Sequence, residues 1–182
     1  MKFKFVSPRL PKHLYYLPSS EQKFIKLFGS IMKIDLYKGE QLLRTVFNDY
    51  ITSLTEDLNN NRVKIDLNIS GLTPNSLHGF HVHEAGDLTD KCTSMCAHFN
   101  PYGNTHGCPG MSNRHVGDLG NIKTNNKGEA KYTFYDNVIK LRGTKCNIIG
   151  RGLIIHEDED DCGQGDNLES LKTGNAGKRI AC

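Results

Sequence analysis

The chain has 182 residues, 37% hydrophobic and 24% charged, with 18 Gly and 6 Pro. That is the length of one domain, and the composition excludes collagen-like, coiled-coil and wholly disordered classes. Its 23 Lys and Arg against 20 Asp and Glu leave a net charge of +3, far from the dense basic stripe of a nucleic-acid binder.

In chain order, Met1 to Arg9 holds no unbroken apolar run and no small-residue cleavage site, so no secretory signal is expected and a cytoplasmic protein is. Pro8, Pro11 and Pro18, with aromatic patches at Phe3-Lys4-Phe5 and Leu14-Tyr15-Tyr16-Leu17, make residues 1–30 an N-terminal extension and leave 31–182 as the domain. Phe24 to Leu36 is interrupted by Lys26, Gly29, Lys33 and Asp35, too often for a membrane span. Ile31–Tyr37 and Leu42–Phe47 are candidates for an opening hairpin, and Asp49–Asn61 reads as an inserted loop with a helical turn.

From Val63 to Ile69 every odd position is apolar and every even one polar, the pattern of a half-buried strand. Ala130, Tyr132 and Phe134 alternate with Lys131 and Thr133 in the same way. Turn residues at Gly71, Thr73-Pro74-Asn75, Asn125–Gly128 and Arg142-Gly143 separate such runs. Short strands between turns, with no long 3.6-residue period, predict an all-β sandwich or Greek-key barrel. Two segments break the rhythm, Asp90–Asn113 and Glu157–Lys178, and loops of that length in a small domain are usually functional.

The chain has 8 His, and their spacing carries the chemistry. His81 and His83 are two apart, so on a strand both rings leave one face and can reach one metal; two surface histidines are the plainer alternative. His98, His106, His115 and Asp118 offer three imidazoles and a carboxylate, a set of the kind zinc takes in tetrahedral geometry, against a polar loop that merely contains histidines. His156 ends the apolar run Leu153-Ile154-Ile155 and could complete a site with His81 and His83.

Leu77–Glu84, Cys92-Thr93-Ser94, His98–Pro101, Arg114–Gly120, Ile148–Arg151, His156-Glu157 and Lys172–Gly177 together resemble the copper/zinc superoxide dismutases over about two-thirds of the chain. The resemblance implies the family's Greek-key β-barrel and the dismutation of superoxide to dioxygen and hydrogen peroxide by alternate reduction and reoxidation of copper. It implies one copper held by His81, His83, His98 and His156, and one zinc held by His98, His106, His115 and Asp118, with His98 bridging. Asp160 matches a carboxylate that orients a copper-ligand and a zinc-ligand imidazole, and His78 a structural histidine beneath the site. Arg179 matches the guanidinium that binds the anionic substrate, with Lys172 and Glu169 in the steering loop, while Leu168 stands where many members carry an acid. Cys92 and Cys182 match the family's disulfide. Cys96, Cys108, Cys146 and Cys162 have no dependable counterpart; Cys96 and Cys108, in the metal loop, could pair or miscoordinate, and free thiols are the plainer reading.

The chain departs from the family in ending at Cys182, where members continue into a closing strand, and Phe3–Val6 or Leu14–Leu17 are candidates to cover the resulting edge. Residues 1–62 match only weakly, so the family's homodimer is expected but its interface is open. The partners expected are superoxide and a copper-delivery protein of unknown identity, with no nucleic acid and no membrane. A metal-handling protein without turnover and a zinc-stabilised interaction domain are the rival readings; the copper spectrum discriminates them.

Overall fold

The computed structural model describes residues 24–27, 36–38, 41–44, 51–143 and 145–182. Its elements are β1 (Phe24–Leu27), β2 (Leu36–Lys38), β3 (Gln41–Arg44), β4 (Ile51–Asp57), β5 (Arg62–Ile69), β6 (Leu77–His83), β7 (Asp118–Lys123), β8 (Ala130–Asp136), β9 (Gly152–His156), the short helix α1 (Ser170–Thr173) and β10 (Arg179–Ala181). Among the described residues they form two antiparallel sheets, ordered β3-β2-β1-β4-β5-β8 and β10-β9-β6-β7, as the all-β expectation requires. No helix among them is long and apolar enough to cross a membrane.

Alternation builds the core. Val63, Ile65, Leu67 and Ile69 on β5 are buried, and they belong to one cluster with Phe80 and Val82 of β6, Leu119 and Ile122 of β7 and Ile155 of β9. Removing each such side chain from water contributes about 1.5–3 kcal/mol. Strand β8 follows the same phase less cleanly: Ala130 is buried, but Tyr132 is 37% exposed. As β8 lies at the end of its sheet, its inward positions are covered from one side only, and the Tyr132 hydroxyl instead accepts the Lys123 N–H at 2.9 Å.

The Asp49–Asn61 segment corrects the expectation of an inserted loop. Ile51–Asp57 is a full strand, paired with β5 from Ile51 opposite Asn68 to Asp57 opposite Arg62. Its polar residues hide a strand because pairing along both edges, with β1 and β5, supplies what apolar alternation does not. The asparagines that suggested a loop form the turn: Asp57 accepts the Asn60 side-chain N–H at 2.9 Å and pairs with Arg62 at 3.0 Å, and Asn61 takes φ 51°. An opening hairpin joins Leu36–Lys38 to Gln41–Arg44, overlapping the expected Ile31–Tyr37 and Leu42–Phe47, whose remaining residues lie outside the described ones. Phe24–Leu27, inside the expected extension, pairs with β4. Phe3–Val6 and Leu14–Leu17, the candidate edge covers, lie outside the described residues.

Candidate metal centre

Strand register assembles the site. In the second sheet Asp118 sits opposite His81, and Arg179 opposite His156. An isolated bridge sets His98 opposite His83. Phe80 and Val82 point into the core, so His81 and His83 leave the other face of β6, yet they are only 0% and 1% exposed. The two long loops cover them.

Three of the imidazoles, those of His81, His83 and His156, are tied at one ring nitrogen to an oxygen that can only accept, which makes that nitrogen the donor and turns the other inward. His83 Nδ1 donates to the Cys96 carbonyl at 2.9 Å, His156 Nδ1 to the Gly177 carbonyl at 3.2 Å, and His81 Nε2 to Asp160 Oδ2 at 2.8 Å. Left over are His81 Nδ1 and the Nε2 atoms of His83, His98 and His156, all buried without a partner among the described residues. Buried unpaired polar atoms are costly; four converging from four residues are a cation's donor set, and His81, His83, His98 and His156 present such atoms within 4.8 Å of one another.

A second set shares His98. Asp118 Oδ1 lies 2.9 Å from His98 Nδ1 and 3.1 Å from the Nδ1 atoms of His106 and His115. A tetrahedron with bonds of about 2.0–2.1 Å to zinc has donor–donor edges of about 3.3 Å, close to this spacing. Asp118 Oδ2 is engaged elsewhere, accepting the backbone N–H groups of Gly107 at 3.1 Å and His115 at 2.8 Å, so one oxygen faces the three nitrogens. The residues fit copper on the all-imidazole set and zinc on the set with a carboxylate.

Asp160 joins the two sets. It accepts from His81 Nε2 and, through Oδ1, from His106 Nε2, each at 2.8 Å. Its neighbours Glu157, Asp158 and Glu159 are exposed, whereas Asp160 is 1% exposed. Asn121, which sequence reasoning missed, clasps it twice: the Asn121 side chain donates to the Asp160 carbonyl and accepts the Asp160 N–H, both at 2.8 Å. Beneath the loop, Arg114 pairs with Asp136, both side chains nearly buried. His78 donates Nδ1–H to the His156 carbonyl at 2.8 Å and stays outside both donor sets.

The electrostatics of the first set suit metal capture. Burial, reinforced by the neighbouring His98, lowers His81 to about 3, and burial lowers His156 to about 4; His83 and His98 are also lowered, mainly by burial. These rings therefore keep their lone pairs at neutral pH. Burial opposes charge on His106 too, but its bonds to Asp118 and Asp160 raise it to about 9. Both carboxyls are held well below the usual range: burial pushes up, and the imidazole hydrogen bonds prevail.

A cavity of about 810 Å³ opens over His83, His98 and His156, with Glu169, Lys172 and Arg179 on its wall. Arg179 donates to the Cys92 and Thr93 carbonyls at 2.8 and 3.2 Å, and to the Cys96 carbonyl at 2.5 Å. Cys96 thus receives both Arg179 and His83 on one carbonyl. Leu168 stands 75% exposed beside Glu169.

Cys92 and Cys182 form a disulfide, joining the start of the first loop to the end of the β10 segment. A second joins Cys108 to Cys162. Free thiols, the plainer expectation, therefore hold for Cys96 and Cys146 only, and Cys108 pairs across the site rather than with Cys96. Connectivity of this kind cannot be read from spacing alone.

The family model for copper/zinc superoxide dismutase matches residues 51–182. The chain belongs to that family. A Cu-Zn superoxide dismutase of Paramecium bursaria Chlorella virus 1 is 69% identical over 121 residues, 66% of this chain and 64% of the relative. The Saccharomyces cerevisiae Cu-Zn superoxide dismutase is 52% identical over 118 residues, 65% of this chain and 76% of the relative. An extracellular Cu-Zn superoxide dismutase of Haemonchus contortus is 52% identical over 120 residues, 66% of this chain and 64% of the relative. The match thus spans somewhat less than two-thirds of the viral and nematode relatives. Dismutation of superoxide is the family's activity, and copper and zinc are its metals.

Proposed function

We propose that this chain is a copper/zinc superoxide dismutase in its own right, with His81, His83, His98 and His156 holding copper and His98, His106, His115 and Asp118 holding zinc. The observation that carries the reading is His98, whose Nε2 is an unpartnered member of the first donor set while its Nδ1 lies 2.9 Å from Asp118 in the second. When bound, copper supplies the one-electron acceptor and donor that take one superoxide to dioxygen and a second, with two protons, to hydrogen peroxide, and redox-inert zinc fixes the loop.

The chain's residues do the rest. Arg179 is anchored by three carbonyls, so its charge is fixed beside the rings, and a guanidinium has donors left for a small anion. Lys172 adds positive charge at the cavity wall and Glu169 negative charge, shaping approach to Arg179. His98 Nε2, between the sets and beside the cavity, is the atom placed to carry a proton to the departing product. Burial beneath the loops keeps His81 and His106 dry.

Metal analysis with a superoxide-consumption assay tests this, before and after selective copper removal. Activity should vanish with copper and return with it while zinc stays bound. Full activity without copper would refute the mechanism; a fully loaded chain that consumes no superoxide would refute the enzyme and leave a metal-handling protein. A homodimer and a cytoplasmic setting stay with the proposal, to be tested by light scattering and cell fractionation; the extracellular nematode relative is why the second needs its own measurement.

A further inference from the structure

The Cys108–Cys162 disulfide sits at the joint between the two donor sets. Cys108 follows His106 by two residues, and Cys162 follows Asp160 by two. The Cys162 N–H donates to Asp160 Oδ1 at 2.7 Å, the same oxygen that accepts His106 Nε2 at 2.8 Å. Between His106 and Cys108, the Gly107 N–H holds Asp118 Oδ2. Across the joint, Gly163 lets the backbone approach so closely that a Cβ there would stand 2.5 Å from the His106 carbonyl oxygen. One covalent bond thus staples the loop that carries His106 to the loop that carries the carboxylate bridging His106 and His81.

We propose that Cys108 and Cys162 are positioning residues for both metals: their disulfide holds Asp160 against His81 and His106, and its reduction loosens the centre even while Cys92–Cys182 stays closed. The proposal rests on the ligand assignment above. A dithiol carries out the reduction, giving two electrons and two protons to the sulfur–sulfur bond, which becomes two thiols as the dithiol closes to its own disulfide. With the staple open, the Asn121 clasp still holds the Asp160 backbone, but nothing covalent keeps the His106 loop in register with it. Partners that orient metal-ligand imidazoles govern metal affinity by about 10–100-fold. The two disulfides therefore divide the work, Cys92–Cys182 fixing the loop beside Arg179 and Cys108–Cys162 fixing the carboxylate that serves both sets.

The test compares the copper- and zinc-loaded full chain with its Cys108→Ser/Cys162→Ser double variant, using Cys146→Ser as control. Metal release to an excess chelator and the copper visible and paramagnetic resonance spectra are read for each. Both metals should leave the double variant about tenfold faster, with a changed copper spectrum, while Cys146→Ser matches the parent. Release within twofold of the parent, accompanied only by a lower melting temperature, would overturn the positioning role. If the double variant does not fold, the parent is titrated with dithiothreitol and alkylated for mass spectrometry. Zinc loss should follow opening of Cys108–Cys162; zinc retained with that bond open, or lost with it shut, would overturn the proposal. A parent that takes up neither metal would overturn the ligand assignment and the staple together, whereas normal uptake with unchanged release overturns the staple alone.

Discussion

Gly174→Ala is the sharpest test of the Asp160 bridge. Gly174 caps α1 with φ 66°, its N–H donating to the Ser170 carbonyl. A Cβ there would lie 2.1 Å from Asp160 Oδ1 and 2.5 Å from His106 Nε2, so a methyl group must part the hydrogen bond those atoms make. Two costs combine. Holding alanine in the left-handed region costs about 1–2 kcal/mol, and losing a buried hydrogen bond to a charged group costs about 1.5–3 kcal/mol. Together they come to about 2.5–5 kcal/mol, or roughly 8–15 °C in Tm for a domain of this size. Gly143→Ala isolates the first cost, because Gly143 has φ 78° and open space where its Cβ would go; it should lower Tm by about 3–6 °C. Thermal melts of both metal-free variants, followed by zinc competition against a chelator, complete the comparison. Zinc affinity should fall about 10–100-fold in Gly174→Ala and stay unchanged in Gly143→Ala. Equal shifts in Tm with equal zinc affinities would refute the reasoning, since the two positions would then differ in nothing but strain.

Two further outcomes follow from the same geometry. Replacing Arg179 with Ile should slow superoxide consumption by on the order of tenfold or more and flatten its salt dependence, with both metals retained; stopped-flow rates at two ionic strengths and metal analysis decide it, and matching zinc loss would make Arg179 structural instead. The metal-free chain should be most stable near pH 6.5 as far as these histidines are concerned. His81 and His156, at about 3 and 4 against 6.5 unfolded, bind fewer protons folded than unfolded, so their contribution is complete above pH 6.5 and is lost as pH falls through 4 toward 3. His106, raised to about 9, contributes fully below 6.5 and loses its contribution as pH rises to 9. Thermal melts from pH 4 to 9 check both limbs, and a Tm that keeps rising above pH 6.5 would contradict the second.

Much of the centre is legible before folding because metal chemistry constrains residue type and spacing. His81 and His83 share a strand face by simple alternation, and the Val63–Ile69 strand reports its own buried side. Where alternation is absent the reading goes astray. Ile51–Asp57 carries Thr, Ser, Glu and Asp where an apolar stripe would mark a strand, and only its neighbours in the sheet reveal it. The Asp160 carboxyl stands in a run of acids that sequence cannot rank, and only family resemblance singles it out.

By itself, then, the sequence determines the donor inventory, the strand that presents the first two rings and the family. The tertiary structure alone decides which side of each ring faces inward, since that depends on carbonyls and carboxylates far away in the chain: Cys96 for His83, Gly177 for His156, Asp160 for His81 and His106. It likewise decides that Cys108 meets Cys162 across a separation of 54 residues, because a disulfide answers to distance in space and not to position along the chain.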